Sequence, residues 1–553
     1  MRPVILLAIP LLTAVIACAK APPSTEIPYT GPVGIGTGPD WNASVDHVEF
    51  NIDPDQAGRT ISPLIYGYNQ ISDPGAHGIA ALRAGGNRFT AYNWENNASN
   101  AGNDHMFQND GYLVQGATNP EAPGEAVRSL METARRIGAT AVLTVPIVDY
   151  VARDKQPGGN VANSGADYLT TRFRQNLPSR GMAAPTGAAP DLSDDFVYQD
   201  EFVAWVGHEF SDVPVLYSMD NEPDLWSGTH KEIHPLPVTY DELIKRNTDY
   251  ARAVKAVRAD APVLGFVSYG WQGYVTLQMA PDSDKGNFID YYLKKMRAAE
   301  LSEGRRLIDY LDLHWYPEAT GTTQTGASLR IVFAAGDDNG PGMIEARVQA
   351  PRSLWDPTYR EQSWISGMAG GAISLIPRIQ NQIKKNYPGT KLSISEWNYG
   401  GGNNISGALA TADALGIFGR EGVELANVWP SGAEPFTQEA LSVFRNFDGA
   451  GARFGDTAVS AQTSSIYSSS VYASVDAADP SRLVIVAINK RSEPTTATVR
   501  IAGDSTSLAA AVWVLTAAGP TISPGAPLNA TEPGTFTYAM PALSVSVLVP
   551  AVR

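Results

Sequence analysis

The chain has 553 residues, with 41 Lys and Arg against 57 Asp and Glu, a net charge of −16 and 43% hydrophobic residues. That hydrophobic share supports a sizeable core, and the length exceeds one ordinary domain, although a large α/β barrel absorbs much of it as one unit. A surface this acidic, with no Lys/Arg cluster to offset it, repels nucleic-acid phosphates and anionic lipid headgroups; it disfavours both as partners and leaves neutral polymers unopposed.

Residues 1–18 read as an export signal. Arg2 gives a positive start, Val4 to Ala17 is apolar apart from Thr13, and the run is too short and too early for a spanning helix. It closes on Val15-Ile16-Ala17-Cys18, which resembles the lipobox of bacterial lipoproteins, whose cysteine is acylated. On that reading Cys18 anchors the protein to a membrane, in the periplasm or on the cell surface. The alternative is ordinary secretion. Cys18 is the sole cysteine, so no disulfide forms within the chain. Residues 19–42, rich in Pro, Gly and Thr, read as a linker. In residues 43–60, Val48, Phe50 and Ile52 alternate with Glu49, Asn51 and Asp53, the pattern of a half-buried strand.

Residues 61–450 repeatedly place an apolar strand-like run ahead of a helical stretch. The strand candidates are Ile61–Tyr68, Ala81–Thr90, Ala139–Ile147, Val213–Met219, Val263–Tyr269, Ile308–Trp315, Lys391–Trp397 and Leu425–Trp429. The clearest helix runs from Tyr240 to Asp260, opened by a capping box of Thr239 and Glu242. Such alternation predicts a (β/α)8 barrel of the TIM type. A doubly wound sheet is the other arrangement, but no Gly-rich phosphate loop follows the first strand. Residues 451–553 change character to short alternating runs separated by Pro/Gly turns, the pattern of a β-sandwich. The strand in 43–60 is expected to join it.

Three of these strands end in unusual text. The fourth runs into Asp220-Asn221-Glu222-Pro223, where an apolar strand meets a carboxylate flanked by an amide and a proline. The seventh runs into Ser395-Glu396-Trp397-Asn398-Tyr399, a carboxylate among aromatics. Alone, either glutamate could be a helix-start or surface residue. Strands four and seven, however, face each other across the mouth of an eight-stranded barrel, where functional residues gather. Glycosidic hydrolysis needs such a pair: an acid to protonate the leaving oxygen and a carboxylate opposite the anomeric carbon. The sixth strand ends in His314-Trp315-Tyr316. Tyr316 could hold the nucleophile ionised; His314 could do likewise, or be a satisfied core histidine. Trp94, Trp226, Trp271, Trp315, Trp397 and Trp429 fall at or just after strand ends, as a sugar-stacking groove would require, though each alone could equally be core. His230, Glu232 and His234 have metal-like spacing but sit in a loop between Gly228 and Pro235. Gly-x-Ser-x-Gly is absent.

At these motifs the chain resembles glycoside hydrolase family 44, the endoglucanase and xyloglucanase family. The resembling stretches are ISPLIYGYNQ (61–70), GGNRFTAYNWENNASNAG (85–102), YSMDNEPDLWSGTHKEIHP (217–235), DLHWYPE (312–318), EARVQAPRSLWDPTYREQSWI (345–365) and SEWNYGG (395–401). The resemblance implies a barrel with a β-sandwich, net retention of anomeric configuration, and internal cleavage of β-1,4-glucans, xyloglucan among them. Some relatives act on mannan or xylan. It puts the acid/base on Glu222 and the nucleophile on Glu396. Asn221, Trp94, His314, Tyr316, Trp397 and Trp429 are the candidate substrate contacts, with Arg88 as a charged partner near the nucleophile. No cofactor is implied for catalysis; a structural calcium is, with Glu95, Asp149 and Asp154 as candidate ligands. The expected partner is a β-glucan or xyloglucan polysaccharide, with no nucleic acid, membrane contact only through the lipid anchor, and a monomeric state. From a different class, a barrel that had lost activity could serve as a surface glycan-binding lipoprotein; retention of both carboxylates argues against it.

Overall fold

Eight short strands form a closed parallel barrel, each hydrogen-bonded to the next in chain order. They are β1 (Gly67–Asn69), β2 (Ala81–Ala84), β3 (Thr140–Val145), β4 (Val215–Met219), β5 (Val263–Ser268), β6 (Tyr310–Trp315), β7 (Lys391–Trp397) and β8 (Leu425–Val428). The computed structural model describes residues 46–70, 73–181, 187, 189–332 and 340–551, so the expected leader, Cys18 and the linker lie outside it. Among the described residues no helix is long and apolar enough to cross a membrane.

Both faces of each strand are covered, by helices outside and by packed side chains within, so β3, β4 and β5 read as largely apolar runs, whereas in β6 and β7 the buried polar residues Asp312, His314, Ser393 and Ser395 alternate with apolar ones. Every residue of β4 and of β5 is buried. The first two strands are shorter than their sequence runs for local reasons. Ser62 caps a 3-10 turn over Pro63–Ile65 before β1 begins. Gly85-Gly86 ends β2, and Asn87–Thr90 is a helical turn. The long helix spans Tyr240–Val257, with the Thr239 hydroxyl accepting from the Glu242 amide at 3.1 Å. The Glu242 carboxylate does not complete the box; it binds Arg246 and His234 instead.

The register between β6 and β7 slips by one residue, Leu313 opposing Ile394 and His314 opposing Glu396. The unpaired residue is Ser395, whose amide binds the Asp312 carboxylate at 3.1 Å. A slip of this kind re-aims the next side chain. Here that side chain is Glu396.

Nine further strands close on themselves in a second sheet, with Gly519–Pro524 attached at its rim. The strand His47–Thr60 lies in this sheet, parallel to Thr495–Ile501 and antiparallel to Thr457–Thr463, so the β-domain is assembled from both ends of the described chain. Val48, Phe50 and Ile52 point into its own core. In the strand Asp479–Asn489 alternate residues serve two cores: Leu483, Ile485 and Ala487 face the interior of the β-domain, whereas Val484, Val486 and Ile488 pack with the barrel.

The helix Ile405–Glu421, which follows the loop after β7, runs along this contact and is buried over nearly its whole length. Its Asp413 accepts from the Tyr472 hydroxyl at 2.6 Å and pairs with Lys490 at 2.7 Å, both partners belonging to the β-domain. The Lys490 and Asp413 side chains are each 2% exposed. Removing one member of such a pair strands a buried charge. Asp413→Ala is therefore expected to cost about 3–5 kcal/mol in denaturant unfolding, with much of the loss recovered in Asp413→Ala/Lys490→Met; equal losses in both variants would show that the charge pair is not the source.

Candidate active site

The text after β4 folds into an unusual turn. Asp220 and Glu222 both take left-handed backbone angles, with φ of 71° and 47°. Non-glycine residues hold such angles only where their surroundings over-determine them. The Asp220 carboxylate provides this, accepting from the Thr90 hydroxyl at 2.6 Å and from the amides of Ile147 at 2.7 Å and Asn221 at 2.8 Å. The Glu222 amide donates to Val267 O at 3.0 Å. Asp220 thus locks the loops after β2, β3 and β4 together, and Glu222 is presented over the barrel mouth.

Arg83, on β2, has no exposed surface and lies beneath this turn. Its Nη1 donates to Glu396 Oε1 at 2.6 Å and to Asn69 at 3.3 Å; its Nη2 donates to Asn221 Oδ1 at 3.0 Å. The Tyr316 hydroxyl donates to Glu396 Oε2 at 2.9 Å. Glu396 therefore has a cation on one oxygen and a phenol on the other, and two such hydrogen bonds fix the orientation of the carboxylate. Burial pushes the Tyr316 phenol up, and the Glu396 charge pushes it further, so it remains a donor. His314 lies between the two glutamates, Nδ1 being 2.8 Å from Glu222 Oε1 and 3.4 Å from Glu396 Oε2. Burial pulls its pKa down to about 4, so the imidazole is neutral at ordinary pH.

Glu222 is placed differently. Its side chain is 12% exposed, and the cation that acts on it is Arg83, which Glu396 already engages. Burial lifts its carboxyl to about 8; Arg83 partly opposes the rise and Asp104 adds to it. One oxygen of Glu222, one of Glu396 and a ring nitrogen of His314 all lie within 4.8 Å of one another. Two facing carboxyl groups, one raised by burial and one paired with an arginine, suit a division of labour between acid and nucleophile. Asp224, two residues on, is raised to about 7 by burial and by Glu222; it accepts from the Ser268 hydroxyl and the Tyr269 amide, tying the Glu222 turn to β5.

The expectations from sequence divide clearly. Glu222, Glu396, Asn221, His314 and Tyr316 converge on one site. Arg88 does not reach Glu396: it pairs with Asp110 at 2.6 Å, and Arg83 takes the position expected of it. An arginine inside an apolar strand was the signal, because arginine is rarely buried without a partner. The tryptophan groove is mostly core. Trp94 packs against Phe202 and Trp205 and donates to Tyr198 O at 3.3 Å. Trp397 packs edge-on to Phe418. Trp226, Trp271 and Trp315 are buried as well. Trp429 alone of the six stays half-open, and Gly86 is what allows it: a Cβ there would sit 2.7 Å from the indole. Likewise, a Cβ on Gly85 would meet the Arg83 guanidinium at 2.3 Å. Trp429 lines a groove of about 530 Å3 with Gln70, Asp104, Gln108 and Tyr112. Tyr269, in the loop after β5, is a further exposed aromatic.

The calcium candidates do not assemble. Glu95 pairs with Arg174, Asp149 with Arg246 and Asp154 with Arg172, three separate arginines. His230 binds Asn87 O, His234 binds Glu242 and Glu232 binds Asn160. Among the described residues the only His/Asp/Glu group close enough to share an ion is Glu222, His314 and Glu396.

A (β/α)8 barrel whose mouth holds two such glutamates defines a glycoside hydrolase. Residues 98–319 match the model of glycoside hydrolase family 44. Endoglucanase A of Paenibacillus lautus is 40% identical over 529 residues, covering 92% of this chain and 73% of that protein. The xyloglucan complex of a family 44 xyloglucanase from Paenibacillus polymyxa superimposes with a TM-score of 0.86 at 38% identity, over 92% of this chain and 100% of that one. A family 44 endoglucanase from Clostridium thermocellum gives the same TM-score, 0.86, at 39% identity and the same coverage, 92% and 100%. The chain belongs to glycoside hydrolase family 44.

A general acid must be protonated to act. With Glu222 raised to about 8, kcat/KM on a glycan is expected to fall as pH rises through about 8; a pH–rate profile already falling through pH 5 would contradict this placement of the acid.

Proposed function

We propose that this enzyme is a retaining endo-β-1,4-glucanase that cleaves internal bonds of xyloglucan and soluble β-glucans by double displacement. The observation that carries the reading is the approach of a Glu222 oxygen and a Glu396 oxygen to within 4.8 Å. Retaining enzymes hold their carboxyl groups about 5–5.5 Å apart, whereas inverting enzymes need a wider gap for an intervening water. In the first step Glu222 gives its proton to the glycosidic oxygen as a Glu396 oxygen bonds to the anomeric carbon and the C–O bond breaks. The product is a glycosyl ester of Glu396 with inverted configuration. In the second, the Glu222 carboxylate takes a proton from water, the water oxygen attacks the same carbon and the ester bond breaks. Two inversions give net retention. Neither step requires a cofactor.

The substrate assignment leans on relatives named for endoglucanase and xyloglucanase activity. A β-mannanase on the same machinery is the second reading, because a protein from Caldicellulosiruptor saccharolyticus named beta-mannanase/endoglucanase A is 41% identical over 475 residues. A pure glycan binder is disfavoured by the site itself: binding needs no ion-paired glutamate beside a protonated one. We further propose that the protein is exported and works as a monomer, anchored through Cys18 where that cysteine is acylated.

Reducing-sugar release from xyloglucan, carboxymethylcellulose, mannan and xylan tests the substrate class. The expected outcome is the fastest release from the first two, and glycan binding without release from any would favour the binder. Glu396→Ala is expected to be inactive on an activated aryl β-glycoside and to regain turnover with azide, giving the α-glycosyl azide. A β-glycosyl azide would mean that the acid/base had been removed instead.

A further inference from the structure

Glu396 leaves β7 just after an irregularity that shows against both neighbouring strands. Against β6, Leu313 opposes Ile394 and His314 opposes Glu396; against β8, Ala426 opposes Ile394 and Val428 opposes Trp397. On either side β7 carries one more residue than its neighbour over the same stretch, so the bulge belongs to β7 itself. Its consequence is directional. Residues opposite one another in a ladder share a face, and successive residues alternate between faces. His314 and Glu396 stand opposite one another and meet at the barrel mouth, 3.4 Å apart. In an unslipped ladder Ser395 would take the place opposite His314. Glu396 would then stand opposite Trp315, on the alternate face, and would be lost from the site.

An extra residue in a ladder is left without a strand partner, and a buried peptide group left unpaired is costly. Ser395 has no exposed surface. Its amide donates to Asp312 Oδ1 at 3.1 Å, and its carbonyl accepts from Asn69 Nδ2 at 3.2 Å. Side chains therefore hold both ends of the bulge. Asp312 lies opposite Ser393 in the β6–β7 ladder, and its Oδ1 also accepts from the Ser393 hydroxyl at 2.6 Å. Asn69, at the end of β1, also donates to Val428 O at 3.1 Å. Neither Asp312 nor Asn69 has any exposed surface. A carboxyl group is expensive to bury inside a barrel, and the two-step scheme gives Asp312 no part. Its two donors, both on β7, identify what it holds.

We propose that Asp312 is a positioning residue for the nucleophile: together with Asn69 it grips the bulged Ser395 peptide and fixes the face of β7 from which Glu396 projects. The inference rests on the reading of Glu396 as the nucleophile. Its test compares Asp312→Leu, which fills the space without an acceptor, with Asp312→Asn, which keeps an acceptor oxygen, on an activated aryl β-cellobioside. In Asp312→Leu kcat/KM is expected to fall about a hundredfold, the scale of a small misplacement of a reacting group. Asp312→Asn is expected to retain most of it. The same change is then made in Glu396→Ala, where azide replaces the missing carboxylate and no side chain remains to be aimed. There Asp312→Leu is expected to leave the azide-rescued rate unchanged. Equal losses in the two backgrounds would mean that Asp312 supports the barrel as a whole. An Asp312→Asn variant as impaired as Asp312→Leu would mean that the acceptor is not what matters. Either result, or an unimpaired Asp312→Leu, overturns the proposal. Failure of azide to rescue Glu396→Ala with Asp312 intact would instead retire the nucleophile reading on which it stands.

Discussion

Arg83 lies with no exposed surface at the centre of the barrel mouth, 2.6 Å from one oxygen of Glu396. An arginine is rarely buried alone, and a buried carboxylate is costly without a partner, so each residue makes the other tenable. The rest of the site follows from this pair. Asn221 takes the second Arg83 nitrogen, which fixes the turn that carries Glu222. Tyr316 takes the other oxygen of Glu396. Gly85 must lack a side chain for the guanidinium to fit, and Gly86 must lack one for Trp429 to reach the groove.

The same pair separates the two glutamates chemically. Glu396 has Arg83 and Tyr316 on its oxygens; Glu222 is left with a neutral imidazole as its neighbour, and burial lifts it to about 8. The two glutamates thereby stand in different surroundings, Glu396 on a cation and Glu222 beside an imidazole. The β-domain supports this from behind: the helix after β7 is held through Asp413 by Tyr472 and Lys490, so the loop that follows Glu396 is anchored at its far end to a second core.

Much of this was legible in the sequence, and the misses have a common physical cause. The barrel strands stood out because burial on both faces favours apolar residues at most positions, and Glu222 and Glu396 stood out because a strand ending in a carboxylate is unusual. What a linear pattern lacks is direction. Trp94 and Trp397 sit at strand ends like Trp429, but their rings turn into the core. Arg88 has the loop position of an active-site cation, yet Asp110 turns it away, and the arginine that matters was hidden inside β2. Glu95, Asp149 and Asp154 are acidic groups whose partners, three arginines, lie 79, 97 and 18 residues further along the chain. The one-residue slip at Ser395, which aims Glu396, leaves no trace in composition or periodicity.

The most direct measurement of this division of labour is covalent trapping. A fluorinated cellobioside with a good leaving group should form a glycosyl-enzyme that hydrolyses slowly, and digestion followed by mass spectrometry then identifies the bonded residue. The expected result is one sugar per chain, on the peptide carrying Glu396. A sugar on Glu222, or turnover with inverted configuration and no trapped ester, would contradict the account.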